Sequence, residues 1–274
     1  MKKNFVILLS ICTLLYACRK APQDTCRQIR FTAEGIETLV QTKTSAEVTE
    51  LSSFKVMAKN AMNNRTIFNT TASKNGTYYL TDQIWPQSDE YYTFYASNKE
   101  IMLDSEGNPY VQSGGATETI AARFPHIAGS YKATNNLQFK HICARVGTVK
   151  VNPQAECSIS NVKLVIKNAS HTGKYRLDND SWVEKSGNRD TDITKPNGEG
   201  DNDIYLTPGA YDFEVKYTLT KGSTSINLTK SAKNVELKGG YINNITMTAI
   251  GAENIQLNVS IEPWVTSSIN PVLE

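Results

Sequence analysis

Histidines, cysteines, acidic residues and one dense aromatic group are the side chains of this 274-residue chain that could do chemistry. His141 and Cys143 fall on one face of an alternating segment, where they could give two ligands to a metal ion. A structural zinc site needs four, and neither His126 nor His171 brings a second Cys/His pair. A core histidine and no metal are expected. Asp178, Asp180, Asp190, Asp192, Glu199, Asp201 and Asp203 could offer oxygens to calcium. The Asp-x-Asp-x-Asp-Gly spacing of a calcium loop is absent, and Lys185, Arg189 and Lys195 interleave the acids, so a solvated loop is expected. There is no Gly-x-Ser-x-Gly turn, His-Glu-x-x-His helix or phosphate-binding Gly-Lys-Ser/Thr loop. No nucleophile with its base can be assembled, which points away from an enzyme and from any cofactor. Tyr91, Tyr92, Phe94 and Tyr95, with Trp85 upstream, could stack on sugar rings if exposed. Strand alternation puts Tyr91, Thr93 and Tyr95 on one face and Tyr92, Phe94 and Ala96 on the other. One set must be core, and the other is the only candidate platform.

The clearest chemistry lies at the N-terminus. Lys2 and Lys3 precede an eleven-residue apolar run, Phe5–Leu15, then Tyr16-Ala17-Cys18. This is a secretory signal, too short for a permanent span, which needs about 20 apolar residues. Leu15-Tyr16-Ala17-Cys18 also reads as a lipobox, in which the Cys18 thiol is acylated (palmitate or a similar chain) before cleavage between Ala17 and Cys18. The competing reading is a plain signal peptide with an incidental cysteine. Several acyl chains on Cys18 would anchor the protein stably where one chain is marginal. Cys26, Cys143 and Cys157 remain, an odd number that excludes a complete disulfide framework. Cys143 and Cys157 either pair or stay as buried free thiols.

Composition bounds the rest. The chain is 39% hydrophobic, 20% charged and 9% aromatic, an ordinary globular mixture. It carries 29 basic and 27 acidic side chains. Loss of Lys2 and Lys3 with the leader removes the basic excess, and with it the electrostatic case for nucleic acid.

The elements that must position these groups are strands. Period-2 alternation dominates, most cleanly in Tyr211–Thr220, where Tyr211, Phe213, Val215, Tyr217 and Leu219 are apolar and the even positions polar. Ile255, Leu257, Val259 and Ile261 alternate in the same way. Further candidates are Ile29–Glu34, Phe54–Lys59, Thr66–Thr70, Thr77–Thr81 and Tyr91–Ser97. Asn75-Gly76 signals a hairpin turn. Phase changes after Ile159 and near His141–Ala144 suggest β-bulges or strands buried on both faces. Ile101–Gly115 and Gly187–Asp203 read as loops. Short strands with turns every 8–12 residues mean an all-β antiparallel sandwich or barrel. A composition shift at Gly129–Asn136 divides the body.

Several pieces, in order, resemble the fimbrillin family of surface lipoproteins. They are the lipobox at Cys18, Ile29-Arg30-Phe31-Thr32-Ala33, Thr42-Lys43-Thr44 and Leu51–Ala58. Trp85-Pro86, Tyr92–Ala96, Leu137–His141, Tyr205–Gly209 and Val259–Trp264 complete the set. The resemblance implies two transthyretin-like antiparallel β-sandwich domains: residues 29–134 and 135–274, after a signal peptide over 1–17 and a lipidated linker over 18–28. It implies a structural or adhesion subunit of a type V-like fimbrium, exported to the outer membrane as a lipoprotein and displayed at the surface. Its partners would be other fimbrial subunits, outer-membrane lipid through Cys18, and a host or glycan ligand. It further implies maturation by a cut after a basic residue, here Lys43 where the family usually has Arg. The first strand, with Ile29, Phe31 and Ala33 pointing inward from a sheet edge, would then leave. The tail Val265–Glu274, with Val265, Ile269, Val272 and Leu273, is the candidate donor strand, or else packs on its own domain. Stalk, tip and anchor roles stay open. The competing function is a glycan-binding surface lipoprotein, resting on the Trp85–Tyr95 aromatics.

Overall fold

The computed structural model describes residues 28–34, 51–85, 90–114, 117–128, 134–153, 155–196, 200–250 and 254–263. Eighteen strands lie within them, and no helix. Among the described residues, therefore, no helix is long and apolar enough to cross a membrane.

The first eight-stranded sheet uses β1 (Gln28–Glu34), β2 (Ser53–Asn60), β3 (Thr66–Asn75), β4 (Tyr78–Ile84), β5 (Tyr91–Ser97), β8 (Ile120–Ala128), β9 (Asn135–Gln138) and β10 (Lys140–His141). Their order is β10-β8-β5-β2-β3-β4-β1-β9. The two edge strands, β9 and β10, are separated in the chain by Phe139 alone, so the sheet must curl until its edges meet. The curl packs its inner face on itself. Ile29 and Phe31 of β1 share a core with Phe54 and Val56 of β2, Phe94 of β5, Ile120 of β8 and Leu137 of β9. The Asn75-Gly76 turn closes the β3–β4 hairpin, with Gly76 at φ 62°. Glycine tolerates that conformation without steric cost.

Two further sheets form a second sandwich. One is β14 (Asp201–Leu206), β11 (Ala144–Asn152), β17 (Tyr241–Ile250) and β18 (Asn254–Pro263), in that order. The other is β16 (Thr224–Leu237), β15 (Gly209–Lys221), β12 (Ser158–Arg176), β7 (Pro109–Gly114) and β6 (Ile101–Leu103), with β13 (Ser181–Ile193) paired to β12. Their facing sides bury Val146, Val149 and Met247 against Leu164, Phe213 and Val215. The alternating residues Tyr211, Phe213, Val215, Tyr217 and Leu219 all enter this core, and Val259 packs against it. The phase change after Ile159 is a β-bulge: the β12–β15 register shifts between Ser160 and Lys163, and Asn161 stands at φ 52°.

A third cluster joins the two cores. Met57, Tyr95 and Ala121 on the outer face of the first sheet pack against Ile101, Val111, Tyr175 and Leu177. Polar bonds frame it: Lys59 Nζ donates to the Gly107 carbonyl, Arg123 Nη1 to the Asp178 carbonyl at 2.7 Å, and Lys140 pairs with Asp180 at 2.7 Å.

Strand pairing does not follow a division at residues 134 and 135. β9 and β10 lie beyond that point yet complete the first sheet, while β6 and β7 lie before it and extend the second through β12. Two expected loops are strands. Residues 101–103 and 109–114 form the β6–β7 hairpin, and residues 187–193 continue β13 along β12.

Candidate functional site

β1 shows why its sequence folds as it does. Alternation turns Ile29 and Phe31 inward to 2% and 0% exposure, and Ala33 packs against the same core. The Phe31 ring meets Phe54 and Phe94 edge-on, with centroids 6.1 and 5.2 Å away. The outward Arg30 guanidinium lies 5.4 Å from the Tyr78 ring centroid.

The backbone of β1 is held from both sides. It pairs antiparallel with β4, Phe31 opposite Tyr79, and parallel with β9, Phe31 opposite Asn135. The expected edge position is therefore corrected, since β9 lies outside β1. Side chains reinforce both ladders. Asn135 Nδ2 donates to the Arg30 carbonyl at 3.1 Å, and Thr81 Oγ1 donates to the Ile29 carbonyl at 3.1 Å. The Phe139 N–H donates to the Glu34 carbonyl at 2.8 Å. Hydrogen bonds from the Gln138 and Asn136 side chains hold the Glu34 carboxyl below the usual carboxylate range.

Without β1 the slot would lose the two side chains that close its core. A single Phe truncation in a core costs about 3–5 kcal/mol, against a total stability of about 5–15 kcal/mol for an ordinary domain. An emptied slot would also expose two unsatisfied strand edges, on β4 and β9. The arrangement is chemically suited to exchange of one extended segment for another: apolar sockets for alternate side chains, and backbone donors and acceptors along both walls.

The sequence marked Ile29, Phe31 and Ala33, and put Leu137 and Phe139 on one strand face, but did not place the two segments side by side. Leu137 and Phe139 alternate inward as their sequence pattern with His141 indicates, and Asn135 joins them; what no local pattern shows is that this segment pairs with β1. Ala17, Cys18, Lys43, Val265, Ile269, Val272 and Leu273 lie outside the described residues.

The remaining candidates disperse. His141 is buried with Nδ1 against the Glu118 carboxyl, and burial pushes its pKa down to about 4. Among the described residues no three His, Cys, Asp or Glu side chains converge as metal ligands. Cys143 and Cys157 are free thiols, Cys143 with its Sγ 3.2 Å from Ser113 Oγ. The acids do not share one loop. Asp178 and Asp180 lie in the turn after β12, Asp190 and Asp192 on β13, and Asp201 and Asp203 on β14, where Arg145 Nη2 binds both at 2.9 Å.

The aromatic platform is not formed. Trp85, Tyr92 and Phe94 enter the first core, and Tyr95 is covered by the cluster that joins the two cores. Of the group, Tyr91 is exposed. Both faces of β5 are buried because the second sandwich packs on the outer side of the first sheet.

The comparisons agree with this architecture. A candidate cell adhesion protein of Bacteroides uniformis superposes with a TM-score of 0.52 at 11% identity, covering 89% of this chain and all of that one. One from Bacteroides ovatus gives 0.53 at 14%, covering 88% and 98%. One from Parabacteroides distasonis gives 0.56 at 9%, covering 87% and 98%. At these identities the likeness shows the fold. No curated protein matches the chain by sequence. The fimbrillin-like family model matches residues 32–264, from within β1 to just past β18, and the chain belongs to the fimbrillin-like family.

Proposed function

We propose that the protein is a structural or adhesive subunit of a surface fimbrium, a building block rather than an enzyme, exported as a lipoprotein acylated at Cys18 and assembled by strand exchange. A cut at Lys43 detaches β1 from the rest of the chain, β1 leaves, and an extended segment of a neighbouring subunit takes its place. The tail Val265–Glu274 is the segment of this chain suited to donate. Pro271 lacks a ladder N–H, so a donor strand would stop or bend there.

The observation that carries this reading is the position of β1: two buried side chains in the core, and a hydrogen-bonded wall on each side. A replacement strand would gain two ladders instead of the one available at an edge. The printed descriptions of the solved neighbours as candidate cell adhesion proteins support the same surface role.

The test is to incubate purified protein with and without a lysine-specific protease and inspect both by electron microscopy. Filaments are expected only after cleavage, and only while residues 265–274 are present. A cleaved protein that stays monomeric at high concentration overturns the stalk role and directs attention to tip or anchor positions.

A further inference from the structure

We propose that, before any cut at Lys43, the end of the first sandwich at which β1 begins is a docking surface for the lipid bilayer that holds the anchor; this rests on the reading of Cys18 as an acylated residue.

The register places five strand ends together. Gln28 at the start of β1 faces Ile84 at the end of β4, and Asn60 at the end of β2 faces Tyr92 near the start of β5. The Ala61 N–H donates to the Tyr91 carbonyl at 2.8 Å, and Lys59 pairs with Thr66 at the start of β3. This end carries Met62, Ile84 and Tyr91 at 83%, 60% and 42% exposure. Single exposed apolar side chains are ordinary, but three at one end are not scattered.

A cleft lies behind them. β3 and β4 pair only between Ser73–Asn75 and Tyr78–Leu80, at the far end, and diverge toward this one. The opening is a cavity of about 170 Å³ floored by Ile29, Phe68 and Phe94, with Arg65 and Glu90 also lining it.

Chain length says what covers this end. Cys18 precedes Gln28 by ten residues. A fully extended chain spans at most about 3.6 Å per residue, so the acyl chains lie within about 36 Å of the start of β1. β1 then runs away from that point, so the tether leaves the sandwich from this end and keeps it within reach of the membrane. The linker carries Arg19, Lys20 and Arg27 against a single acid, Asp24, and this positive balance draws it to anionic headgroups. Tyr91 with a polar tip on an apolar ring, and the unbranched Met62, suit the interfacial region of a bilayer.

The test uses the full lipoprotein, purified from membranes and reconstituted into vesicles of phosphatidylethanolamine and phosphatidylglycerol, beside a Cys18→Ala chain in solution. Mass spectrometry first establishes acylation. Hydroxyl-radical oxidation of Met62 and hydrogen exchange over residues 60–66 are then compared, with Val183 as a distant exposed control. Oxidation of Met62 should slow by about tenfold or more on vesicles, the change that covering one large apolar side chain corresponds to. Val183 should not change. A Met62→Asp/Ile84→Asp variant should stay anchored and lose the hydrogen-exchange protection over residues 60–66. Acylated, vesicle-bound protein with Met62 oxidising as fast as in solution overturns the docking surface while the anchor stands. An unacylated Cys18 removes the anchor and the proposal together. Protection that rises with protein density at fixed lipid, and appears equally in the soluble chain at high concentration, means a second copy covers this end and overturns the lipid assignment.

Discussion

The Phe31 ring stands nearly perpendicular to that of Phe94, at 82° and 5.2 Å between centroids, although their strands are four places apart in the same sheet. That contact exists only because the sheet curls. Phe31→Ala should destabilise the protein by about 3–5 kcal/mol in denaturant titration, the range for a truncated core aromatic. Thr32, which points away and bonds Asn136 Oδ1 at 3.2 Å, should cost about 0.5–1.5 kcal/mol as Thr32→Ala, the usual net worth of one hydrogen bond. Equal effects at the two positions would contradict the inward orientation of Phe31.

What the sequence made legible follows from where strand stability originates. β2, β5 and β15 carry their own apolar alternation and match the sequence reading closely. β7 and β13 do not. Pro109, Gly114, Gly187, Asn188 and Asp190 all disfavour strands, and their pairing comes from the nineteen-residue β12 alongside them. Such tertiary pairing leaves no periodic trace in the paired segment. The same holds for the slot. Ile29 and Phe31 announce one buried face, but whether a strand is an edge depends on β9, a hundred residues away, and that no local pattern reveals.

A second prediction concerns Arg145. It is fully buried, with Nη2 bound at 2.9 Å to both Asp201 and Asp203, and Thr148 Oγ1 adds a bond to Asp201 at 3.3 Å. Removing one side of a buried pair leaves charge without compensation, so Arg145→Met should cost about 3–5 kcal/mol. Adding Asp201→Asn and Asp203→Asn should recover much of that loss, because the carboxylates no longer face each other without a cation. A double-mutant cycle in denaturant measures the coupling. Additive losses would mean that the three residues act independently.

A third concerns the contact between the two halves. Lys59 is 2% exposed and donates from Nζ to the Gly107 carbonyl in the β6–β7 turn. Burial pulls its pKa down, while Asp178 and Asp104 oppose that shift. Lys59→Met keeps the length of the side chain and removes the donor. It should cost about 1–3 kcal/mol for the unsatisfied carbonyl and the lost attraction to the two acids. The turn Asp104–Asn108 should become more open to proteolysis than any site in β15 or β16. Unchanged cleavage there would mean that the turn is held by the Asp104–Asn108 bonds without help from Lys59.

The last prediction follows from the buried tyrosines. Burial raises the pKa of Tyr95, Tyr175, Tyr211 and Tyr217, and for Tyr175 the nearby Asp180 carboxylate adds to the shift. In the folded protein these phenols stay neutral beyond their ordinary value of about 10, whereas in the unfolded chain they ionise near it. The unfolded state therefore releases protons first as pH rises. The stabilising contribution is complete below about pH 10 and declines above it, toward the raised values of the folded state. Tyr95 and Tyr175 belong to the cluster that joins the two cores, and Tyr211 and Tyr217 to the second core, so both regions should fail together. Circular dichroism and tyrosinate absorbance, followed through an alkaline titration, should show the strand signal and the ionisation of these four phenols changing in one cooperative step. A gradual ionisation of these four phenols near pH 10 with the strand signal intact would mean that their rings reach solvent without unfolding.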